Sequence, residues 1–262
     1  MGCGSLLKLV ESKGSLVLQN HLQRSAQVVE EHRDSCMSGF DTTSDRDQVD
    51  ARELFGERHA EYDRFIRLVR YRQGLRAFFV RSSVLAPGLR VLDAGCGTGA
   101  VTFALREALV RRQLAPGPHH AFDLTPAMLD DFRRALAAAG VVGVETRQAD
   151  VLQLTALPDS WRNYDLIVSA SMLEYVPRRR FAQALEGLRE RLRINGQLVL
   201  FITRRNWLTR PLIGRWWRSG LYTRNELQDA FDESGFEELT FAGFPLSVFH
   251  LGLWGHAVIA RR

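Results

Sequence analysis

The sequence predicts an α/β fold, a three-layer sandwich with helices on both faces of a mostly parallel sheet. Three observations carry this. The apolar run Arg90-Val91-Leu92 stops at three alternating glycines, Gly95, Gly97 and Gly99, and a good helix start follows over residues 100–106. Strand-like runs at 144–148, 164–170 and 197–202 then alternate with helical stripes, of which Met128, Leu129, Phe132 and Leu136 form one and Phe181, Ala184, Leu185, Leu188 and Leu192 another. A length of 262 residues with 45% hydrophobic content suits one such domain with an appended segment.

The glycine turn is where a ligand belongs. Backbone there turns tightly and lies close to something, and the helix that follows offers bare N–H groups. Gly95-Cys96-Gly97-Thr98-Gly99-Ala100 satisfies the loose dinucleotide fingerprint that ends in Gly or Ala. With Asp93 two residues before the first glycine, the stretch also resembles motif I of the class I S-adenosylmethionine-dependent methyltransferases, an acidic residue followed by Gly-x-Gly-x-Gly. That is a more specific pattern than the fingerprint. The resemblance runs over roughly residues 55–262. It implies a Rossmann-like sandwich whose seven strands lie in the order 3-2-1-4-5-7-6, ending in an antiparallel hairpin that dehydrogenases lack. It also sets Asp93, Gly95, Gly97 and Gly99 against S-adenosylmethionine.

Residues 1–50 show little sustained periodicity and end in a polar stretch at 41–47, which reads as a flexible or partly helical extension with a short helix around 16–31. Over 51–85, Tyr62, Phe65, Ile66, Val69, Leu75, Phe78 and Phe79 recur at near-helical spacing, so one or two helices precede the first strand. The resemblance makes them a lid over the cofactor. Phe55 and Tyr62-Asp63 look like the Phe…Tyr-Asp pattern of the quinone-biosynthesis branch, giving Tyr62 a substrate role, with core packing as the alternative.

The domain proper spans 86–262. A helix over 98–112 meets a break at Pro116-Gly117-Pro118, and the strand His119-His120-Ala121-Phe122-Asp123 ends in an acid placed to accept from ribose hydroxyls. The interval from Gly95 is longer than usual, and the loop 111–118 absorbs the excess. Thr125 as N-cap and Pro126 at the first helical position start the next helix. Asp123-Leu124-Thr125-Pro126 resembles the family's second motif, which makes Leu124 an apolar wall against adenine. By position in the family, Asp150 takes the adenine amino group and the Val151 N–H meets the ring.

Ser169 opens a segment that resembles the one at the mouth of the family's site, running to Pro177. Tyr175 stands where the family often has histidine, so no histidine base is expected there. Candidates for a base or acceptor anchor are Tyr175, Glu174, His59 and His250. Arg178-Arg179-Arg180 reads as a solvated helix start, and Asn195-Gly196 as a turn before the fifth strand. Residues 204–220 combine three indoles with five arginines. Family precedent makes such an insertion part of the acceptor pocket, with Trp207 and Trp216 on a flat or lipophilic substrate. A membrane-surface approach through 207–218 suits the same composition, and so does an amphipathic helix packed on the core. A helix led by Thr223 and two strands at 236–241 and 253–259 complete the chain.

Composition narrows the function. A formal charge of +5 and a pI near 9.5 permit acidic partners without requiring them. Cys3, Cys36 and Cys96 are too few and scattered for a disulfide framework or a zinc site, so no metal is expected and a reducing, cytoplasmic setting is. Cys96 has no histidine nearby in sequence to activate it as a nucleophile. The start lacks the Ser or Thr that myristoylation requires, and no secretory signal follows. The uncharged stretch 241–260 is interrupted by Pro245, His250, His256 and three glycines, and reads as two strands rather than a membrane span.

The expectation is a methyltransferase using S-adenosylmethionine on a small aromatic or lipophilic acceptor by in-line transfer, with nucleic acid not the favoured partner. Two alternatives stay open: a non-catalytic cofactor-binding module serving a partner protein, and an RNA methyltransferase, marked by salt-dependent RNA binding.

Overall fold

The computed structural model describes residues 70–206, 209 and 220–262. The extension 1–50, the part of 51–85 before residue 70, and residues 207–208 and 210–219 lie outside the described residues, and with them His59, Tyr62, Trp207 and Trp216.

Helix α1 (Tyr71–Arg81) leads into β1 (Val91–Ala94), α2 (Ala100–Arg111), β2 (His119–Asp123), α3 (Pro126–Ala138), β3 (Val144–Gln148) and β4 (Tyr164–Ala170). Then come α4 (Phe181–Arg191), β5 (Leu192–Thr203), α5 (Arg224–Glu233), β6 (Glu238–Ala242) and β7 (Gly255–Arg261). The strands form one seven-stranded sheet in the order β3-β2-β1-β4-β5-β7-β6. Strands β1 to β5 pair in parallel, and β7 runs antiparallel to both β5 and β6. This is the Rossmann-like order expected, and the antiparallel end removes the dehydrogenase reading.

Side chains that alternate along each strand feed two cores. Leu92, Phe122, Ile167, Leu198 and Leu200 meet Ala184, Leu185 and Leu188 of α4 and Leu227 and Phe231 of α5. On the other face Val91, Val168, Val199 and Phe201 meet Leu75, Phe78 and Phe79 of α1 and Val101, Ala104 and Leu105 of α2. Phe78 packs edge-on against Phe201, with centroids 5.0 Å apart. Each such large apolar side chain contributes about 1.5–3 kcal/mol on burial, so the two faces hold the sheet edge that carries the site.

Several local expectations are corrected. Thr125 stands at the N-cap of α3, but its side chain makes no cap hydrogen bond, because Asp123 draws on both its N–H and its hydroxyl. Asn195-Gly196 is not a turn before β5 but an irregularity inside it: Tyr164 pairs with Leu192 and Leu166 with Gln197. Asn195 there has φ 62°, and a Cβ on Gly196 would lie 2.7 Å from the Tyr164 carbonyl oxygen.

Arg178 is not simply solvated. Its guanidinium lies 4.5 Å from the Tyr222 ring centroid, donates to Glu226 at 3.1 Å and also donates to the Leu221 carbonyl. The final strand begins at Gly255 rather than 253, since 246–248 and 251–254 form short helical turns. Thr223 caps α5 as expected, in a reciprocal box in which its N–H donates to Glu226 Oε2 at 2.7 Å. Among the described residues no helix is long and apolar enough to cross a membrane.

Candidate functional site

The turn after β1 is tied to its neighbour: the N–H groups of Gly95 and Cys96 both donate to the Phe122 carbonyl at 2.9 Å. Gly95, Gly97 and Gly99 have φ of 73°, 49° and 92°, in the left-handed region where a Cβ is costly. Their surroundings differ. A Cβ on Gly95 would fall 2.2 Å from Met172, and one on Gly99 2.2 Å from the Phe132 ring, whereas one on Gly97 would meet nothing within 4 Å. Two of these glycines therefore serve close packing, and the middle one borders open space.

Asp123 reaches this turn from the end of β2, and Asp150 follows the end of the neighbouring β3. Asp123, closing β2, accepts from the Gly97 N–H at 2.8 Å through Oδ2 and from the Thr125 N–H at 2.9 Å through Oδ1. Burial raises its pKa, partly offset by those donors. Asp150 follows the end of β3, whose Gln148 pairs with Asp123; its Oδ1 accepts from the Leu152 N–H at 2.9 Å, while Val151 is buried in the core. Leu124 is half-buried, and its carbonyl accepts from Gln148 Nε2 at 3.1 Å.

Asp93 lies beneath the turn, fully buried. Its Oδ2 accepts from Thr102 Oγ1 at 2.7 Å and from the Thr102 N–H at 3.1 Å, and its Oδ1 has no partner among the described residues. Burial, the largest influence, carries its pKa up to about 7 against the Thr102 hydrogen bonds, with Asp123 adding repulsion. His119 Nε2 lies 3.1 Å from Thr102 Oγ1. Burial holds His119 at about 3, so it is neutral, and with the hydroxyl proton committed to Asp93 the imidazole is the donor. Ser169, at the end of β4, is buried with its Oγ unpartnered among the described residues.

Beyond β4 lies a cluster that the sequence only partly disclosed. Tyr71 of α1 shares a hydrogen bond of 3.3 Å with Ser171, which is held at φ 54°. Glu174, 3% exposed, accepts from the Thr203 N–H at 2.9 Å, and burial lifts its pKa to about 7. Burial also raises the Tyr71 pKa, with Glu174 and Asp93 adding to it. The Tyr222 hydroxyl is buried without a partner among the described residues, and its ring stacks on Phe181 at 4.6 Å. Tyr71 lies within 51–85 but outside the stripe read there, and Thr203 follows the strand read over 197–202, so only their partners mark them out.

Of the remaining candidates, His59 lies outside the described residues. Tyr175 is half-buried in a helical turn, its N–H donating to the Met172 carbonyl at 3.0 Å. His250 lies on the connection between β6 and β7, edge-on to Phe249. Cys96 is buried and burial pushes its thiol well up, so it is no nucleophile. Among the described residues no group of His, Cys, Asp and Glu is arranged to hold a metal.

Comparison with known proteins agrees with the fold. Residues 91–196 match the family described as a methyltransferase domain. A malonyl-[acyl-carrier protein] O-methyltransferase of Anoxybacillus flavithermus is 26% identical over 149 residues, which cover 55% of this chain and 49% of that protein. The match thus spans about half the length of that curated relative. Magnesium protoporphyrin IX methyltransferase from Synechocystis PCC 6803, solved with S-adenosylhomocysteine bound, shares the fold with a TM-score of 0.58 at 16% identity, over 82% of this chain and 99% of that one. An O-methyltransferase family protein from Burkholderia thailandensis superposes with a TM-score of 0.56 at 16% identity, over 74% of this chain and 57% of that one. Residues 91–196 are thus similar to methyltransferase domains, and the strand order is that of the Rossmann-like methyltransferase fold.

Proposed function

We propose that this protein transfers a methyl group from S-adenosylmethionine to a small lipophilic or aromatic acceptor in the cytoplasm. The observation that carries the reading is the open space over Gly97, whose N–H donates to Asp123 at the end of β2. The donor set fits the cofactor. Asp123 already accepts from the Gly97 and Thr125 N–H groups and from the Thr125 hydroxyl, which a ribose hydroxyl could displace, and Asp150 keeps Oδ2 for the adenine amino group. Leu124 would wall the base, and the Val151 N–H would meet its ring. The unpartnered Asp93 Oδ1 beneath the turn is an acceptor suited to the cofactor's ammonium group.

When bound, the cofactor supplies an electrophilic methyl on a sulfonium, whose charge is neutralised on transfer. The chain's work is to hold the acceptor in line and exclude water. Where the acceptor must lose a proton, Glu174 is a carboxyl that can hold or release one near neutral pH. The relative named an O-methyltransferase favours an oxygen acceptor. Kinship with the quinone-biosynthesis branch, a substrate role for Tyr62, Trp207 and Trp216, and a membrane approach through 207–218 belong to the same proposal, on sequence grounds.

Calorimetry with S-adenosylmethionine and S-adenosylhomocysteine, followed by a metabolite screen with labelled methyl donor, tests it. The expected result is binding of both and a labelled small molecule. Binding of neither, or tight binding of NADH instead, removes the reading. Cofactor binding with no labelled acceptor favours a module that serves a partner protein.

A further inference from the structure

The connection between β6 and β7, on which His250 also lies, carries three exposed large apolar side chains close together in the chain. Leu246 is 90% exposed, Phe249 63% and Leu253 51%. They are spaced by three and four residues along two short helical turns, so they share one side. Val248 and Leu251 are buried between them and anchor the turns to the body. Leaving these three in water gains the folded chain nothing, which is the mark of a surface kept for a partner.

Among the described residues the charged side chains placed beside them are arginines. From Leu239 to the end of the chain there is no Asp or Glu. Arg81 lines an open groove of about 440 Å³ together with Leu246, Phe244 and Pro245. The Arg204 N–H donates to the Trp254 carbonyl at 2.9 Å, which brings that arginine beside the same connection. Among the described residues neither Arg81 nor Arg204 is ion-paired with a carboxylate. Apolar prongs bordered by arginine suit a layer with negative headgroups over an apolar interior. A second copy suits them less, because a two-fold contact would set arginine against arginine.

The location adds a reason. Gly255, where the connection ends, pairs with Thr203 at the C-terminal end of β5. That is the sheet edge at which Asp93 and Asp123 also end their strands.

We propose that Leu246, Phe249 and Leu253, flanked by Arg81 and Arg204, seat this protein on an anionic lipid surface with the carboxyl edge of its sheet beside the lipid. Docking needs no cofactor, so vesicle binding and S-adenosylhomocysteine binding are separate readouts. The test is flotation of the full chain with vesicles of phosphatidylcholine alone and of phosphatidylcholine mixed with phosphatidylglycerol. The chain floats with the mixed vesicles and not with the neutral ones. The triple variant Leu246→Glu, Phe249→Glu, Leu253→Glu loses about a hundredfold in partition while keeping its melting temperature and its S-adenosylhomocysteine affinity. The pair Arg81→Glu, Arg204→Glu weakens partition as well, and added salt mimics that effect. Equal partition of wild type and triple variant overturns the proposal, and so does equal partition into the two vesicle types. Light scattering that finds a dimer reduced to a monomer by the triple variant overturns it too.

Discussion

Gly97 and Gly99 stand two residues apart in similar backbone conformations, and their replacement by alanine should separate cofactor binding from folding. Both alanines pay for a left-handed conformation, about 1–2 kcal/mol. At Gly97 the cost stops there, because a Cβ meets no protein atom within 4 Å. At Gly99 the Cβ falls 2.2 Å from the ring of Phe132, which is fully buried, so the ring or α2 must shift. Such overpacking adds about 1–3 kcal/mol. With about 2–4 °C per kcal/mol for a domain of this size, Gly97→Ala should melt about 5 °C below wild type and Gly99→Ala about 10 °C or more below it.

Binding should follow the opposite order. The Gly97 methyl would project into the space assigned to the cofactor, and a loss of tenfold or more in S-adenosylhomocysteine affinity, about 1.4 kcal/mol, is expected by calorimetry. Gly88→Ala is the control, with φ 72° and nothing near its Cβ, but away from the glycine turn. Its melting temperature should fall like that of Gly97→Ala while its affinity stays at the wild-type value. If Gly97→Ala binds S-adenosylhomocysteine as well as Gly88→Ala does, the cofactor does not lie over Gly97 and the site has been misassigned.

Asp123→Asn should weaken S-adenosylhomocysteine binding by about 1.5–3 kcal/mol, the worth of hydrogen bonds to a charged group, and should lower the melting temperature too, since both carboxylate oxygens hold a backbone N–H and the new amide NH2 must face one of them. Tyr222→Phe should leave stability unchanged or raise it in urea titrations, because the buried hydroxyl it removes has no described partner; a loss above about 1 kcal/mol would refute this. Glu174 has its folded pKa raised from 4.5 to about 7, so the unfolded chain gives up this proton first. Its contribution to stability therefore falls as pH rises from about 4.5 to 7 and is level above that, a change of at most about 3 kcal/mol. Urea titrations of Glu174→Gln should show a flatter profile over that window and greater stability than wild type at pH 8; an unchanged slope would mean the carboxyl is ionised throughout.

What the sequence determined by itself was local or periodic. Alternating glycines after an apolar run dictate a strand, a tight turn and a helix, whatever the rest of the chain does. Stripes at helical spacing announce the helices, and acids at 93, 123 and 150 sit where their strands stop. Such features depend on neighbours in the chain, so they can be read without coordinates. The tertiary structure decided which of those glycines faces open space and which two press on Met172 and Phe132, a matter of side chains far away in sequence. It drew the Thr125 hydroxyl away from its cap to Asp123, and Arg178 from solvent onto Tyr222 and Glu226. It also joined Tyr71 to Ser171 across one hundred residues and buried Glu174 until its proton became labile near neutrality. Contacts of that kind have no period and no spacing. Desolvation in particular belongs to the finished fold, because a carboxyl loses its water only when distant segments close around it.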